Sequence, residues 1–471
     1  MKRLFLILII FIGFQSVNEA QENYRILIDI EGYQDSSLLL TTYYGDKILL
    51  VDTAYASGTG SFLFEGDSPL PGGIYMAVSQ KKIKLFEFIV DKKQEFKLQT
   101  DTSAYTSNMK SIGSQENDLF FGYITYNEQL YLKNKTLTDS LSALKSGSKA
   151  FDKIKGRIDD INKQAADYKL NIINNHSDLF IASLLGAMRE IEIPDPVQNS
   201  TDSTAIYRYY KNHFWDYFDL SDARLLHTPM FSKKVDQYFD QLVVVHPDST
   251  IAAIDDLIAR ARPSQEVVSW LVWYFISKYQ NPEYMGFDVV FIHLADNYFM
   301  KEDIMNATPS VRQNIIDRAN KMRPLTLGSP APNLILIDTI GNYQSFASLS
   351  NDYVLLFFWD YDCGVCKKEI VDLKKLMAET NHDIGVYAIN VNADLEKWKQ
   401  GIIENEFIWT NVNGTRSVTQ DFHDLYDTHG TPAIFLLDKY RNIIAKQLSM
   451  KQVDQFIKNH EKYHEQNSVK Q

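Results

Sequence analysis

Between residues 24 and 100 apolar and polar positions alternate in short runs, which predict strands over 24–30, 37–43, 47–53, 61–65, 74–79, 84–90 and 95–100. Phe62 and Phe64, like Phe96 and Leu98, fall on one face of their runs. Gly-, Asp- and Pro-rich separators divide them, with Leu70-Pro71-Gly72-Gly73 the clearest turn. That spacing predicts an all-β sandwich. Its Tyr and Phe residues read as half-buried sheet positions, with a binding groove as the alternative.

After Gly113-Ser114-Gln115-Glu116-Asn117 the period becomes helical and stays so to about residue 322. Thr308-Pro309 has the order of an N-cap and first turn, and Pro263-Ser264 opens a run over 267–276 that is apolar on nearly every face. This run predicts a central, buried helix in an α-helical region. The polar stretch 133–149 and the Pro194-Asp195-Pro196 segment read as loops between helices. No catalytic pattern and no His, Asp or Glu cluster at metal-ligand spacing precedes residue 326.

A third region opens at Leu327-Gly328-Ser329-Pro330-Ala331-Pro332. Strands are predicted over 334–338, 353–359 and 384–390, and helices from the cysteines toward 380, over 395–404 and over 422–426. A hairpin over 433–438 and 443–448 and a last helix over 451–460 follow. This order is a βαβ unit continued by a hairpin, an α/β arrangement in which a strand ends, and a helix begins, at a C-x-x-C pair. The organisation expected is therefore multidomain: an export signal over 1–20, a β-sandwich over 21–112, an α-helical domain over 113–325 and an α/β domain over 326–471.

Composition narrows the function. The 471 residues are 45% hydrophobic and 23% charged, the balance of a folded chain, and the net charge of -12 lacks the basic surface that nucleic acid or anionic lipid would need. Lys2 and Arg3, an apolar run over 4–14 and a small residue at Ala20 have the order of a secretory signal. The run is shorter than the roughly 20 residues of a spanning helix. Export is the expectation, and an uncleaved N-terminal anchor the alternative, because Asn18 stands where a small apolar residue is preferred.

Only two cysteines occur, Cys363 and Cys366. The loop they close is too short to gain much as a structural staple, so the pair points to redox chemistry. A metal site would need two further ligands, and His423 and His429 stand six apart with no cysteine near them. At a helix N-terminus the first cysteine meets unpaired N–H groups and the positive end of the dipole, which favour its thiolate. Cys363 is thus the expected nucleophile and Cys366 the resolving thiol. Glu369 lies on the same helical face, where it can move the proton of either thiol or, alternatively, face solvent paired with Lys367 or Lys368.

The region from 326 to 460 resembles the exported thioredoxin-like thiol:disulfide oxidoreductases of the TlpA/ResA type. The resemblance rests on 328–332, the strand 354–359, Cys363-Gly364-Val365-Cys366-Lys367-Lys368-Glu369, Trp398 and Gly430-Thr431-Pro432. The preceding regions look like the accessory domains of such envelope proteins. The resemblance implies a thioredoxin-like fold, a periplasmic location of the Gram-negative type, no bound cofactor, and a glutamate at 369 that handles protons. It also implies a cis Pro432 that turns the Thr431 backbone toward an extended client. Thr431, Pro432 and Trp359 are the expected client-contacting residues, and His429 could tune the thiols. The expected partners are disulfide-bearing or thiol client proteins and an upstream redox donor, with no integral span in the mature chain and reduction as the expected direction.

Four positions depart from the family. Asp362 replaces the frequent tryptophan before the first cysteine, and its charge opposes thiolate formation. Val365 replaces the usual Pro or His between the cysteines, Phe357 stands where cytosolic thioredoxins bury an aspartate, and Arg441 takes the place of a hairpin glycine. Two other functions stay open. One is a thiol peroxidase, although Asp360 stands where such enzymes carry a threonine; the other is a client- or ligand-binding envelope protein on a vestigial thioredoxin scaffold.

Overall fold

The computed structural model describes residues 23–301, 304–428 and 430–468. The expected export signal and His429 lie outside these residues. The chain divides into two units between Leu242 and Val243.

The first unit begins with eight strands: β1 (Tyr24–Glu31), β2 (Ser37–Tyr44), β3 (Lys47–Tyr55), β4 (Ser61–Gly66), β5 (Gly73–Ser79), β6 (Lys84–Val90), β7 (Glu95–Asp101) and β8 (Lys110–Ile112). They form two sheets, ordered β4-β1-β7-β8 and β3-β2-β5-β6. The alternation read from the sequence holds: Ile26, Ile28, Phe62, Phe64 and Leu98 are buried from one sheet, and Leu38, Leu40, Tyr75 and Phe88 from the other. Phe88 and Phe96 meet edge to face across the sandwich with centroids 6.1 Å apart.

Helices Gln115–Ser142 and Lys149–Asn175 follow. The loop expected over 133–149 is corrected: the first of these helices runs on to Ser142, with only Leu137 buried in that stretch, so no apolar stripe marked it. Local bonds compensate, as in Asn134 Nδ2 donating to Asn162 Oδ1 of the next helix at 2.9 Å.

The second unit opens with helices that include Pro247–Ala261, Gln265–Tyr279, Asp288–Leu294 and Pro309–Met322. Ser264 and Thr308 cap two of them by accepting the N–H of Val267 and Val311, both at 3.3 Å. Gln265–Tyr279 is the buried central helix expected.

Seven strands complete this unit: β9 (Ile335–Asp338), β10 (Tyr343–Ser345), β11 (Tyr353–Trp359), β12 (Ile384–Asn390), β13 (Thr410–Ser417), β14 (Ala433–Leu437) and β15 (Ile443–Lys446). They form one mixed sheet, ordered β10-β9-β13-β12-β11-β14-β15. β11 pairs in parallel with β12 and antiparallel with β14, and its run is apolar throughout because both faces are covered. Leu355, Phe357 and Trp359 pack under helices Gly364–Glu379 and Met450–Ser468, while Val354, Leu356 and Phe358 pack on Tyr387, Phe422 and Tyr426. The three-part architecture of sandwich, helices and thioredoxin-like α/β sheet is thus observed.

Helix Leu395–Glu404 comes close to β11 because Gly401 has no side chain: a Cβ there would lie 2.8 Å from the Trp359 ring. This approach fixes where Lys397 stands.

Candidate active site

β11 ends at Trp359, and the chain turns through Asp360, Tyr361 and Asp362 before helix Gly364–Glu379 begins. Asp360 shapes that turn, its Oδ1 accepting the Asp362 N–H at 2.8 Å while Asn392 Nδ2 donates to its carboxylate at 3.2 Å. Cys363 is the N-cap: it has extended backbone, φ -79° and ψ 110°, and its Sγ accepts the Cys366 N–H at 3.1 Å. The two cysteines form a disulfide with Cα atoms 5.2 Å apart. Cys366 is 0% exposed whereas Cys363 is half-buried, so the first cysteine is the more exposed of the two.

The peptide bond Thr431–Pro432 is cis. The Thr431 carbonyl oxygen lies 3.3 Å from Cys363 Sγ, so this loop and the first cysteine share one surface.

Glu369 is buried, 9% exposed, and does not face solvent with Lys367 or Lys368. Its Oε2 accepts the Met450 N–H at 2.7 Å, at the N-terminus of the last helix, where the helix dipole favours a negative charge. The same carboxylate lines a cavity with Pro432. Phe357, fully buried, leaves no carboxylate on β11.

Trp359 is corrected. It is fully buried, packs on Phe407 with centroids 5.2 Å apart, and belongs to the core rather than to the client surface.

Two features had no local signal in the sequence. Lys397 stands 35 residues from Asp362, yet its Nζ lies 2.7 Å from Asp362 Oδ2. That carboxylate, hydrogen-bonded to it, raises the Lys397 ammonium above the ordinary lysine range. Lys446 and Asp288 form a buried ion pair at 2.7 Å, and Lys446 also donates to the Leu325 carbonyl at 2.8 Å. Among the described residues no group of three or more His, Cys, Asp or Glu could hold a metal ion, and no helix is long and apolar enough to cross a membrane.

Residues 327–446 match the AhpC/TSA family. Residues 24–120 and 152–324 match two domains of unknown function, DUF4369 and DUF5106. A comparison with curated proteins gives no match. Among solved structures, the chain is similar to a domain of a possible thiol-disulfide isomerase from Cytophaga hutchinsonii, with 34% identity over 30% of this chain and 98% of that one and a TM-score of 0.29. It is also similar to a thiol:disulfide interchange protein from Bacteroides sp., with 30% identity over 28% of this chain and 89% of that one and a TM-score of 0.26. A thioredoxin-like protein from Bacteroides caccae is 19% identical over 58% of this chain and 98% of that one, with a TM-score of 0.47. A disulfide-bonded cysteine pair at a helix start, the match over 327–446 and a relative 34% identical along nearly its whole length agree, and the chain belongs to the thioredoxin-fold thiol:disulfide oxidoreductases, with accessory domains preceding the thioredoxin-like region.

Proposed function

We propose that the protein is exported to the periplasm and reduces disulfides of client proteins through Cys363 and Cys366. The observation that carries the reading is the asymmetry of the pair: Cys363 is half-buried at a helix N-terminus with its sulfur accepting an N–H, and Cys366 is wholly buried behind it. In the reduced protein the Cys363 thiolate attacks one sulfur of the client disulfide, forming a mixed disulfide and expelling the other client sulfur as a thiolate. Cys366, deprotonated with Glu369 as the nearby carboxylate, then attacks Cys363 Sγ and expels the second client thiolate. The client gains two electrons and two protons, the pair becomes the disulfide, and an upstream dithiol donor restores it.

Reduction is the favoured direction because strong oxidants of this kind owe their potential to a stabilised thiolate. Here the N–H of Cys366 is donated to Cys363 Sγ, and the charge of the preceding Asp362 is balanced by Lys397 rather than replaced by a positive one. Export is supported by the charged, apolar and small-residue order of the first 20 residues. A peroxidase is disfavoured because Asp360, three residues before Cys363, offers a carboxylate engaged by Asn392 instead of a hydroxyl.

The test is trapping. Cys366→Ala, expressed in its own compartment, should accumulate mixed disulfides with client proteins on non-reducing gels, and Cys363→Ala should not. Trapping by Cys363→Ala alone would reverse the two roles, and trapping by neither would favour the binding-module alternative.

A further inference from the structure

His460, Glu461, Lys462, Tyr463 and His464 follow one another on the last helix, Met450–Ser468, in the order H-E-x-x-H. Residues four apart share a helical face, and histidines in this order can hold one zinc ion between them. The redox reading makes no use of either ring.

The geometry is that of a chelate. The Nε2 atoms of His460 and His464 converge to 3.2 Å. Two nitrogens bound to one tetrahedral ion at about 2.0–2.1 Å stand about 3.3–3.4 Å apart, so a single ion fits between the rings with little movement. Both rings are braced. His460 stacks on Phe456 with centroids 6.1 Å apart and 22° between the planes, and His464 stands edge-on to Tyr463 at 5.8 Å. The helix beneath them is anchored along its length: the Met450 N–H donates to Glu369 at 2.7 Å, the Thr380 hydroxyl to Asp454 at 2.9 Å and the Tyr353 hydroxyl to Glu461 at 3.0 Å. A scaffold already fixed at several points loses little freedom when an ion binds.

The same contacts decide what kind of site this is. In a hydrolase with this motif the glutamate is the general base for water on the metal. Glu461 is instead held by Tyr353 and lies 3.6 Å from His382, and no third His, Cys, Asp or Glu joins the pair among the described residues. Two imidazoles with the remaining positions left to water make a site for binding, not for hydrolysis. Imidazole selects Zn²⁺, Ni²⁺ or Cu²⁺ over Mg²⁺ and Ca²⁺, which take oxygen ligands.

We propose that His460 and His464 form a two-histidine site for a divalent transition-metal ion of the Zn²⁺ class, which clips the outer turns of the last helix.

The test is calorimetric titration of tag-free, full-length protein with Zn²⁺, in the disulfide form so that no cysteine thiolate competes, at a pH where imidazole is neutral. The wild-type protein should bind Zn²⁺ at this pair, melt at a higher temperature in its presence and give no response to Mg²⁺. Two ligands on one helix make the second metal–nitrogen bond intramolecular, so His464→Ala, at an exposed position, should weaken binding by about tenfold or more. His423→Ala, at another exposed histidine, should leave it unchanged. Absence of Zn²⁺ binding by the wild-type protein, or equal affinity in wild type and His464→Ala, would overturn the proposal and leave the two rings sharing only a hydrogen bond.

Discussion

Lys397 Nζ stands 2.7 Å from Asp362 Oδ2, so the residue preceding the first cysteine carries a paired negative charge. Both side chains are substantially exposed, and the pair's own contribution to stability is small. Its importance is local, because an unpaired carboxylate one residue from Cys363 would raise the cost of forming the thiolate.

Lys397→Gln should slow alkylation of reduced Cys363 at neutral pH by about twofold at low salt, with the effect fading as ionic strength rises. Asp362→Asn combined with Lys397→Gln should restore the wild-type rate. A single variant that alkylates like wild type at low salt would show that the pair does not act on the thiol.

Glu369→Gln keeps a carbonyl oxygen that can accept the Met450 N–H, so the fold should hold while the carboxylate is lost. The pH dependence of thiol alkylation and of mixed-disulfide resolution should then flatten. Unchanged profiles would reduce Glu369 to a cap for the last helix.

Lys446 and Asp288 form a buried pair, for which removal of one partner costs about 3–5 kcal/mol and replacement of both by apolar residues costs far less. Lys446→Met alone should lower the unfolding free energy by that order, and adding Asp288→Leu should recover most of it. Additive losses in denaturant titration would mean that the two charges are not coupled.

Arg441 adopts φ 68°, a left-handed conformation that favours glycine, while its guanidinium donates to the carbonyls of Asn351 at 3.2 Å, Asp438 at 3.1 Å and also Leu349. The strain is worth about 1–2 kcal/mol, and hydrogen bonds from a charged donor about 1.5–3 kcal/mol each. The bonds win. Arg441→Gly should destabilise the protein by roughly 1–3 kcal/mol in spite of relieving the backbone, and a gain in stability would contradict this balance.

Much of the fold was legible in the sequence because its strands carry the hydrophobic period that burial demands. β11 shows this best: its short apolar run, rich in aromatic residues and ended by the turn at Asp360, has the length of a strand covered on both faces. β13 was invisible for the opposite reason: its buried Asn413 is satisfied by hydrogen bonds, Nδ2 donating to the Asn392 carbonyl at 2.9 Å, and hydropathy does not register that. The cysteine pair could be read from local order, and the Gly430-Thr431-Pro432 loop only through its likeness to the family. Lys397, Arg318 and Asp288 could not, because each acts on a group far away in sequence and is placed there only by packing, as Gly401 places Lys397. Trp359, expected at the client surface, instead turns its ring into the core, a direction that the sequence of a strand end does not reveal.

The central claim is that Cys363 is the attacking thiol of a disulfide reductase, and its most direct measurement is turnover of a disulfide-bonded protein substrate by the reduced enzyme. Insulin reduction with a dithiol donor should proceed with the wild-type protein and fall to the uncatalysed rate in Cys363→Ala. Turnover by Cys363→Ala at the wild-type rate would contradict the account.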